Sequence, residues 1–307
     1  MDYILRTINL VKRFNKNDVV DNVNMNITRG EIYGFLGPNG AGKTTIMKMV
    51  VNLLKPSSGE IEIFGQKLRY EDYEPLKRIG SIIEYPVFYE KLTGRENLEL
   101  HCEYMGYYDK SAIDRALELV NLKGIDNKEV KDFSLGMKQR LAIARAIITK
   151  PELLMLDEPI NGLDPIGIKE IRNLLKMLSK EYGITILISS HILSEIEQIA
   201  DTIGIINNGK LMQEVSMESI RENNTEYVEI STKDCIRASY ILENNLNISN
   251  FKVIDNNLIR IYDLKLAQSD ISRALILKGV EIDAINKKNS SLEDYFLKLL
   301  HGGKINV

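Results

Sequence analysis

The sequence predicts an α/β protein in which a mixed, doubly wound sheet carries an inserted helical subdomain and is followed by a small α+β domain. Short apolar runs bounded by turn residues, at 34–36, 153–156, 184–189 and 202–206, are typical of buried parallel strands. Helical patterns separate these runs, and this alternation indicates a doubly wound sheet. Such sheets bind ligands at the carboxyl ends of their strands, so functional residues are expected there.

The bulk composition is consistent with two domains in a reducing compartment. The 307 residues allow a large domain over 1–216 and a small one over 217–307, each with its own core. A formal charge of −3 disfavours nucleic-acid binding by phosphate neutralisation. Cys102 and Cys235 are too few and too far apart for a disulfide framework or a metal cluster. Polar residues interrupt the apolar runs, so no direct membrane span is expected.

The most informative segment is a glycine-rich loop directly behind the predicted strand 32–36. Its residues are Gly37, Pro38, Asn39, Gly40, Ala41, Gly42, Lys43, Thr44 and Thr45. Glycines let successive N–H groups converge on one anion, and the following helix adds the positive end of its dipole. This pattern predicts a phosphate-binding loop in which Lys43 reaches the β- and γ-phosphates and Thr44 ligates Mg²⁺.

Two further regions complete the predicted organisation. Between about 85 and 150 the pattern is mostly helical, as at 111–120 and 136–149, which predicts a helical subdomain inserted into the α/β core. The second domain reads as a βαββαβ, ferredoxin-like pattern, with strands at 226–231, 251–254, 258–262 and 280–285 and helices at 234–244 and 266–278. A last amphipathic helix is predicted at 292–300, primarily for packing, with partner contact as the alternative.

An acidic pair follows the apolar run 153–156. A buried strand that delivers two carboxylates to its carboxyl end suits Mg²⁺-nucleotide chemistry. Asp157 is expected in the metal shell, and Glu158 is expected to orient and polarise the attacking water. Two solvated acids at an ordinary strand end are the alternative, which the loop upstream disfavours.

The order of these motifs resembles the ABC-type ATPases. The matching features are the phosphate loop, the small-residue turn at 133–140, the acidic strand, the Asn161 to Asp164 segment and His191. In that family two subunits close head to tail on ATP, and the signature turn of one covers the γ-phosphate held by the other. Ser134 and Gly136 match that signature, whereas Leu135 and Met137 depart from it.

Three more positions take roles from the same resemblance. Phe14 matches the aromatic residue that stacks on adenine, although a core phenylalanine at a strand end is nearly as good an interpretation. His191, behind the strand 184–188, resembles the switch histidine that contacts the γ-phosphate. Asp164 matches the loop that joins the two active sites across the dimer.

Glu84 is a departure from the usual family pattern, in which a glutamine contacts Mg²⁺ and senses the membrane subunit. A carboxylate there would bind Mg²⁺ more tightly but repel the γ-phosphate without the metal. This glutamate and the segments 134–141, 189–198 and 291–296 resemble the subgroup of bacitracin-transport and lantibiotic self-protection proteins. The resemblance covers nearly the whole chain.

The resemblance implies an ATP-hydrolysing subunit, with ATP and Mg²⁺ as cofactors, that powers export or removal of a peptide antibiotic. Its expected partners are a second copy of itself and a separate permease, and its expected location is the cytoplasmic face of a bacterial membrane. The segment 85–98 is the expected permease contact, with packing inside the insert as the alternative. A soluble ABC ATPase and a regulator that does not hydrolyse remain as other classes.

Overall fold

The computed structural model describes residues 2–69, 71–107, 109–222 and 226–289. The chain divides into two compact units, 1–217 and 218–307. The helix predicted at 292–300 lies outside the described residues. Within them, no helix combines the length and the apolar character needed to cross a membrane.

The first unit contains two sheets. Its strands are β1 (Tyr3–Phe14), β2 (Asn17–Thr28), β3 (Ile32–Leu36), β4 (Ser58–Ile63), β5 (Gln66–Lys67), β6 (Ile79–Ile82), β7 (Leu153–Leu156), β8 (Thr185–Ser190), β9 (Thr202–Asn207) and β10 (Lys210–Ser216). An antiparallel sheet has the order β2-β1-β4-β5, and a mixed sheet has the order β10-β9-β3-β8-β7-β6. The mixed sheet confirms the predicted α/β class.

The parallel strands of the mixed sheet bring their carboxyl ends to one edge. Leu36 at the end of β3 pairs with Ser190 at the end of β8, and Ile82 at the end of β6 pairs with Leu156 at the end of β7. All residues of β3, β7 and β8 are buried, which fits strands covered on both faces. The polar residues that follow these strands are therefore held close together by a rigid scaffold.

Helices connect the strands and form the insert. They are α1 (Lys43–Val50), α2 (Gly94–Met105), α3 (Lys110–Leu119), α4 (Leu135–Ile147), α5 (Pro165–Lys180), α6 (Leu193–Ile196) and α7 (Met217–Glu222), with single 3₁₀ turns at Pro75–Arg78 and Val130–Asp132. Local capping fixes where the insert helices begin. Thr93 and Glu96 form a reciprocal capping box at α2, and the Asp109 carboxylate accepts from the Ser111 backbone at α3.

A buried polar cluster ties the two sheets of the first unit together. The hydroxyl of the fully buried Tyr33 donates to Glu214 Oε2 over 2.8 Å, and the Asn26 backbone N–H donates to the same oxygen over 2.9 Å. Burial, followed by the nearby Glu214 charge, raises the pKa of Tyr33 well above its usual value. The cluster links β2, β3 and β10.

Over residues 226–289, the second unit forms an antiparallel sheet with two helices. Its elements are β11 (Glu226–Ser231), α8 (Cys235–Leu246), β12 (Phe251–Asp255), β13 (Leu258–Ile261), α9 (Gln268–Leu277) and β14 (Ala284–Asn289). The sheet order is β12-β13-β11-β14, as expected for a ferredoxin-like arrangement. Side chains from both helices and the sheet form one core, which includes Val228, Ile230, Ile241, Ile259, Ile271 and Leu275.

The strand predicted at 280–285 is shifted toward the C-terminus. Gly279, at φ 81°, ends α9, and the Val280 backbone N–H still donates to the Leu275 carbonyl over 3.0 Å, as at a helix end. Pairing with β11 begins only at Ala284. The polar residues of β14 are stabilised by pairing across the sheet, because Lys288 Nζ lies 2.6 Å from Glu229 Oε1 on β11.

Candidate active site

The glycine-rich loop joins β3 to α1 and has a conformation that needs glycine. Gly42 caps α1 at φ 108°, and a Cβ there would lie 2.9 Å from the Val19 carbonyl oxygen. A Cβ on Gly37 would lie 2.3 Å from the carbonyl oxygen of Ile206. The first turn of α1 therefore opens directly from the loop, with its free N–H groups and positive dipole end toward the cleft.

Lys43 is buried at the base of the loop. Only 5% of its side chain is exposed, and Nζ donates to the carbonyls of Gly37 over 2.7 Å and Pro38 over 3.2 Å. The same Nζ lies 3.3 Å from Glu158 Oε1. A buried ammonium group requires such partners, and the loop carbonyls hold this one at the phosphate-binding turn.

Thr44, Asp157 and Ser189 form a hydrogen-bonded chain across the sheet edge. Thr44 Oγ1 donates to Asp157 Oδ2 over 2.6 Å, and Ser189 Oγ donates to Asp157 Oδ1 over 2.6 Å. Asp157 is buried, and its backbone N–H donates to the Ile82 carbonyl. Both carboxylate oxygens are thus oriented by hydroxyl groups from neighbouring elements.

Glu158 lies between Lys43 and His191. Its Oε2 is 2.6 Å from His191 Nδ1, and its backbone N–H donates to Ser189 Oγ over 2.9 Å. The residue has φ 50°, a left-handed conformation that is uncommon for a non-glycine residue and often marks a functional position. This turn directs the carboxylate of Glu158 away from that of Asp157, so two adjacent acids have different partners.

Glu195 is a further acid near this pair. Burial raises the pKa of its carboxyl, and the charge of Glu158 acts in the same direction while the charges of His191 and Arg172 oppose it. Its Oε2 is buried without a hydrogen-bond partner in the described part of the chain. Ser189 and Glu195 were both missed by sequence reasoning. Ser189 could have been found as a polar residue at the end of an apolar strand.

Lys43, Thr44, Asp157 and Glu158 line a cleft of about 670 Å³, whereas Ser189, His191 and Glu195 are not in its lining. Its lining consists of Val19, Asn39, Gly40, Ala41, Gly42, Lys43, Thr44, Thr45, Ile83, Glu84, Tyr85, Pro86, Leu135, Lys138, Gln139, Asp157, Glu158 and Asn161. The lining carries three carboxylates and two lysines, so a bound polyphosphate needs a cation with it. The Thr44 hydroxyl and Asp157 carboxylate are oxygen donors of the kind that Mg²⁺ uses together with phosphate oxygens.

Glu84 has a different partner from the other two acids. It lies just beyond β6 at φ 64°, and its Oε1 forms an ion pair with Lys48 Nζ on α1. Among the described residues, no group of three or more His, Cys, Asp or Glu side chains is arranged to hold a metal by itself. The structure thus brings Thr44 to Asp157 directly, while Glu84 lines the same cleft in contact with Lys48.

The other predicted site residues lie outside the cleft lining. Ser134 caps α4, where its Oγ accepts from the Met137 N–H over 3.2 Å. Asp164 Oδ1 caps α5 by accepting from the Gly167 N–H over 2.7 Å. A Cβ on Gly136 would fit without a clash, because beyond its own stretch of helix the nearest atom, Leu163 Cδ2, would lie at an ordinary contact distance of 3.9 Å. Phe14 ends β1 with 45% of the residue exposed, and Lys12 Nζ lies 5.0 Å from its ring centroid.

The chain matches known proteins along its whole length. A family model described as "ABC transporter" matches residues 20–161. An uncharacterized ABC transporter ATP-binding protein, YcbN, of Bacillus subtilis (strain 168) is 61% identical over 307 residues, 100% of each chain. The chain belongs to the ATP-binding proteins of ABC transporters. As an ABC ATPase it binds and hydrolyses ATP, which confirms the enzyme class expected from the sequence.

Two relatives named for their cargo and one solved structure show which ABC ATPases this chain is similar to. The bacitracin transport ATP-binding protein BcrA of Bacillus licheniformis is 48% identical over 305 residues, 99% of this chain and 100% of that protein. The lantibiotic transport ATP-binding protein SrtF of Streptococcus pyogenes is 48% identical over 211 residues, 69% and 90% of the two chains. A dimeric ATP-binding cassette, MJ0796, bound to ADP and Pi superposes with a TM-score of 0.61 at 27% identity, covering 69% and 98%. The expected bacitracin and lantibiotic subgroup is confirmed.

Proposed function

We propose that this ABC ATPase hydrolyses Mg²⁺-ATP to power the export, or the removal from the membrane, of a peptide antibiotic through a separate permease. The observation that carries the hydrolytic part is the position of Glu158, whose two oxygens lie 3.3 Å from Lys43 and 2.6 Å from His191. The cargo class is supported by the names of BcrA and SrtF.

The roles follow from the contacts. Lys43 donates to the β- and γ-phosphates in place of the loop carbonyls of Gly37 and Pro38. Thr44 and Asp157 hold Mg²⁺, which when bound neutralises phosphate charge. Glu158 accepts a proton from the attacking water, and His191 orients that carboxylate and contacts the γ-phosphate. Phe14 offers an exposed ring for stacking on adenine.

A second copy completes the site in a head-to-tail dimer. Gly136, near the start of α4, is helical, and beyond its own stretch of helix the nearest atom to a Cβ position is Leu163 Cδ2 at 3.9 Å. Internal packing therefore gives no reason for glycine there, whereas close approach of an external phosphate does. In the proposed dimer, Ser134 and Gly136 of one subunit cover the γ-phosphate bound by the other, and Asp164 lies at the junction.

The permease contact is the segment that follows Glu84. Tyr85, Val87 and Tyr89 are exposed by 82%, 80% and 55%, an unusual density of apolar surface. Their backbone is held in place, because Arg145 Nη1 donates to the Val87 carbonyl over 2.9 Å and Asn97 exchanges hydrogen bonds with Tyr89. A rigid aromatic surface beside the nucleotide cleft suits a membrane subunit, and it would hold the chain at the cytoplasmic face of the membrane.

Resistance is the direct test. The chain is expressed in a sensitive bacterium together with a candidate permease, and growth is measured against bacitracin, a lantibiotic and an unrelated antibiotic. With a permease that pairs with this chain, we expect protection against one of the two peptides, and its loss in the Glu158→Gln variant. Equal sensitivity with the wild-type pair and the variant pair would contradict the proposed cargo.

A further inference from the structure

Two residues of α1 that lie one helical turn apart contact two different acidic residues of the cleft. Thr44 and Lys48 are four positions apart and therefore share a face of the helix. Thr44 bonds Asp157 over 2.6 Å, and Lys48 pairs with Glu84. The helix that begins the phosphate site is thus joined to the residue that begins the aromatic segment 85–89.

The Lys48–Glu84 pair has the properties of a contact that can be exchanged. The two side chains are 32% and 62% exposed, so water competes with their attraction. An exposed pair of this kind shifts an equilibrium by no more than about fivefold. A divalent cation with a phosphate ligand attracts a carboxylate more strongly than one ammonium group does.

The pair also explains how a carboxylate is accommodated at this position. Asp157 and Glu158 already line the cleft, and a third unpaired carboxylate would repel both them and an incoming phosphate. Lys48 compensates that charge while the metal is absent. A glutamine would need no such partner.

We propose that Lys48 is the resting partner of Glu84, and that Glu84 exchanges Lys48 for the Mg²⁺-nucleotide, which frees the start of the segment 85–89 from its connection to α1 through that pair. This inference rests on the proposed function, because it takes Mg²⁺-ATP as the ligand. Lys48 acts here as a positioning residue. Through Lys48, the position of the segment 85–89 depends on whether the Mg²⁺-nucleotide is bound.

A double-mutant cycle tests the exchange without measuring turnover. Binding of a fluorescent, non-hydrolysable ATP analogue is titrated with Mg²⁺ in the wild type, Lys48→Gln, Glu84→Gln and the double variant, and thermal unfolding verifies each fold. Lys48→Gln is expected to lower the Mg²⁺ concentration for half-maximal binding about two- to fivefold in the Glu84 background and to leave it unchanged in the Glu84→Gln background. Lys48→Arg, which retains the charge, is expected to match the wild type.

A reporter on the released segment gives a second measurement. The chain has no tryptophan, so Tyr85→Trp introduces a single tryptophan directly after Glu84, and its emission can be excited selectively over that of the tyrosines. We expect its emission to shift when the Mg²⁺-analogue binds, and to be shifted already without metal when Lys48→Gln is added.

Two results would overturn the inference. One is the same Mg²⁺ shift from Lys48→Gln in both Glu84 backgrounds, since Lys48 would then act on the phosphate alone. The other is a metal-free emission that Lys48→Gln leaves unchanged. Failure of the proposed function would give a different result, namely no phosphate release from Mg²⁺-ATP by the wild-type chain with its permease. The double-mutant binding cycle could still be measured in that case.

Discussion

At the scale of single residues, two adjacent acids differ in function because the backbone turns between them. Asp157 ends its strand and accepts two hydroxyl bonds, whereas Glu158, at φ 50°, contacts Lys43 and His191. Oxygen atoms fixed by hydroxyl groups suit a metal, and a carboxylate beside an imidazole suits proton transfer. The sequence predicted both the strand-end position of the acids and their different roles, and the structure adds the turn that gives them different partners.

Replacing Glu158 tests its role as the base. Glu158→Gln retains size and hydrogen-bonding ability but loses the proton acceptor, so we expect ATP binding to persist while phosphate release falls by a factor of about 10² to 10⁴. Nucleotide binding and phosphate release are measured side by side. Glu60→Gln is the control, because Glu60 pairs with Lys67 on the antiparallel sheet. A Glu158→Gln variant that turns over at the wild-type rate would exclude Glu158 as the base.

Two glycines give opposite predictions from their surroundings. Gly42→Ala places a Cβ 2.9 Å from the Val19 carbonyl at φ 108°, so we expect a loss of stability of about 2 kcal/mol together with loss of nucleotide binding. Beyond its own stretch of helix, Gly136→Ala meets nothing closer than 3.9 Å, so the free energy of unfolding should stay the same or rise slightly while ATPase activity falls. Denaturant unfolding and phosphate release separate the two cases. A fully active Gly136→Ala variant would contradict the close approach of an external phosphate.

At the scale of elements, the sequence located the strands that are continuous apolar runs, and the strands that it missed include two that are interrupted by bulges. The buried runs that became β3, β7 and β8 are continuous and apolar. In β1 and β2, Asn9 and Asn22 adopt left-handed conformations, and the pairing register shifts between Thr7 and Leu10. Such bulges break the alternation on which strand prediction depends. Lys48 was missed for another reason, since its partner Glu84 is brought near only by the fold.

Asp164 has a structural role that can be separated from its expected role at the dimer junction. Its carboxylate caps α5, so Asp164→Ala should cost about 1 kcal/mol and lower the melting temperature by about 2–4 °C. Asp164→Asn keeps an oxygen for the Gly167 N–H and should restore stability. Melting temperature and ATPase rate are measured for both. A stable Asp164→Asn variant with a low ATPase rate would assign the charge a function beyond capping, whereas full activity would leave capping as its whole role.

The exposed aromatic segment should be needed for transport and not for catalysis. Tyr85→Ala combined with Tyr89→Ala removes exposed rings without opening the core, so we expect normal ATPase activity of the isolated chain and loss of antibiotic resistance in cells. Phe88 was expected from the sequence to be part of the same surface, but its ring packs 4.7 Å from the Arg145 guanidinium. Phe88→Ala is therefore a comparison in which we expect lower stability. Unchanged resistance in the double tyrosine variant would exclude this surface as the permease contact.

At the scale of the whole molecule, the cleft contains the groups for holding a phosphate, and Leu135, Lys138 and Gln139 of α4 also line it. Lys43, Thr44, Asp157 and Glu158 line it, whereas Ser134 and Gly136 do not. The order of the motifs resembles that of the ABC ATPases, and this resemblance predicts that a second chain supplies Ser134 and Gly136 to the site. A single chain cannot show such an assembly. MJ0796, a solved cassette similar to this chain, is dimeric in two structures.

Mixed dimers distinguish a shared site from a self-contained one. Lys43→Ala removes the phosphate-binding group of one chain, and Gly136→Ala alters the signature of another, so each variant alone should be nearly inactive. In a head-to-tail dimer of the two, the intact loop of the Gly136→Ala chain meets the intact signature of the Lys43→Ala chain. Random mixing should therefore restore roughly a quarter of the wild-type phosphate release. If each site belonged to a single chain, no mixture would exceed the sum of its inactive parts, and Gly136 would act within its own subunit.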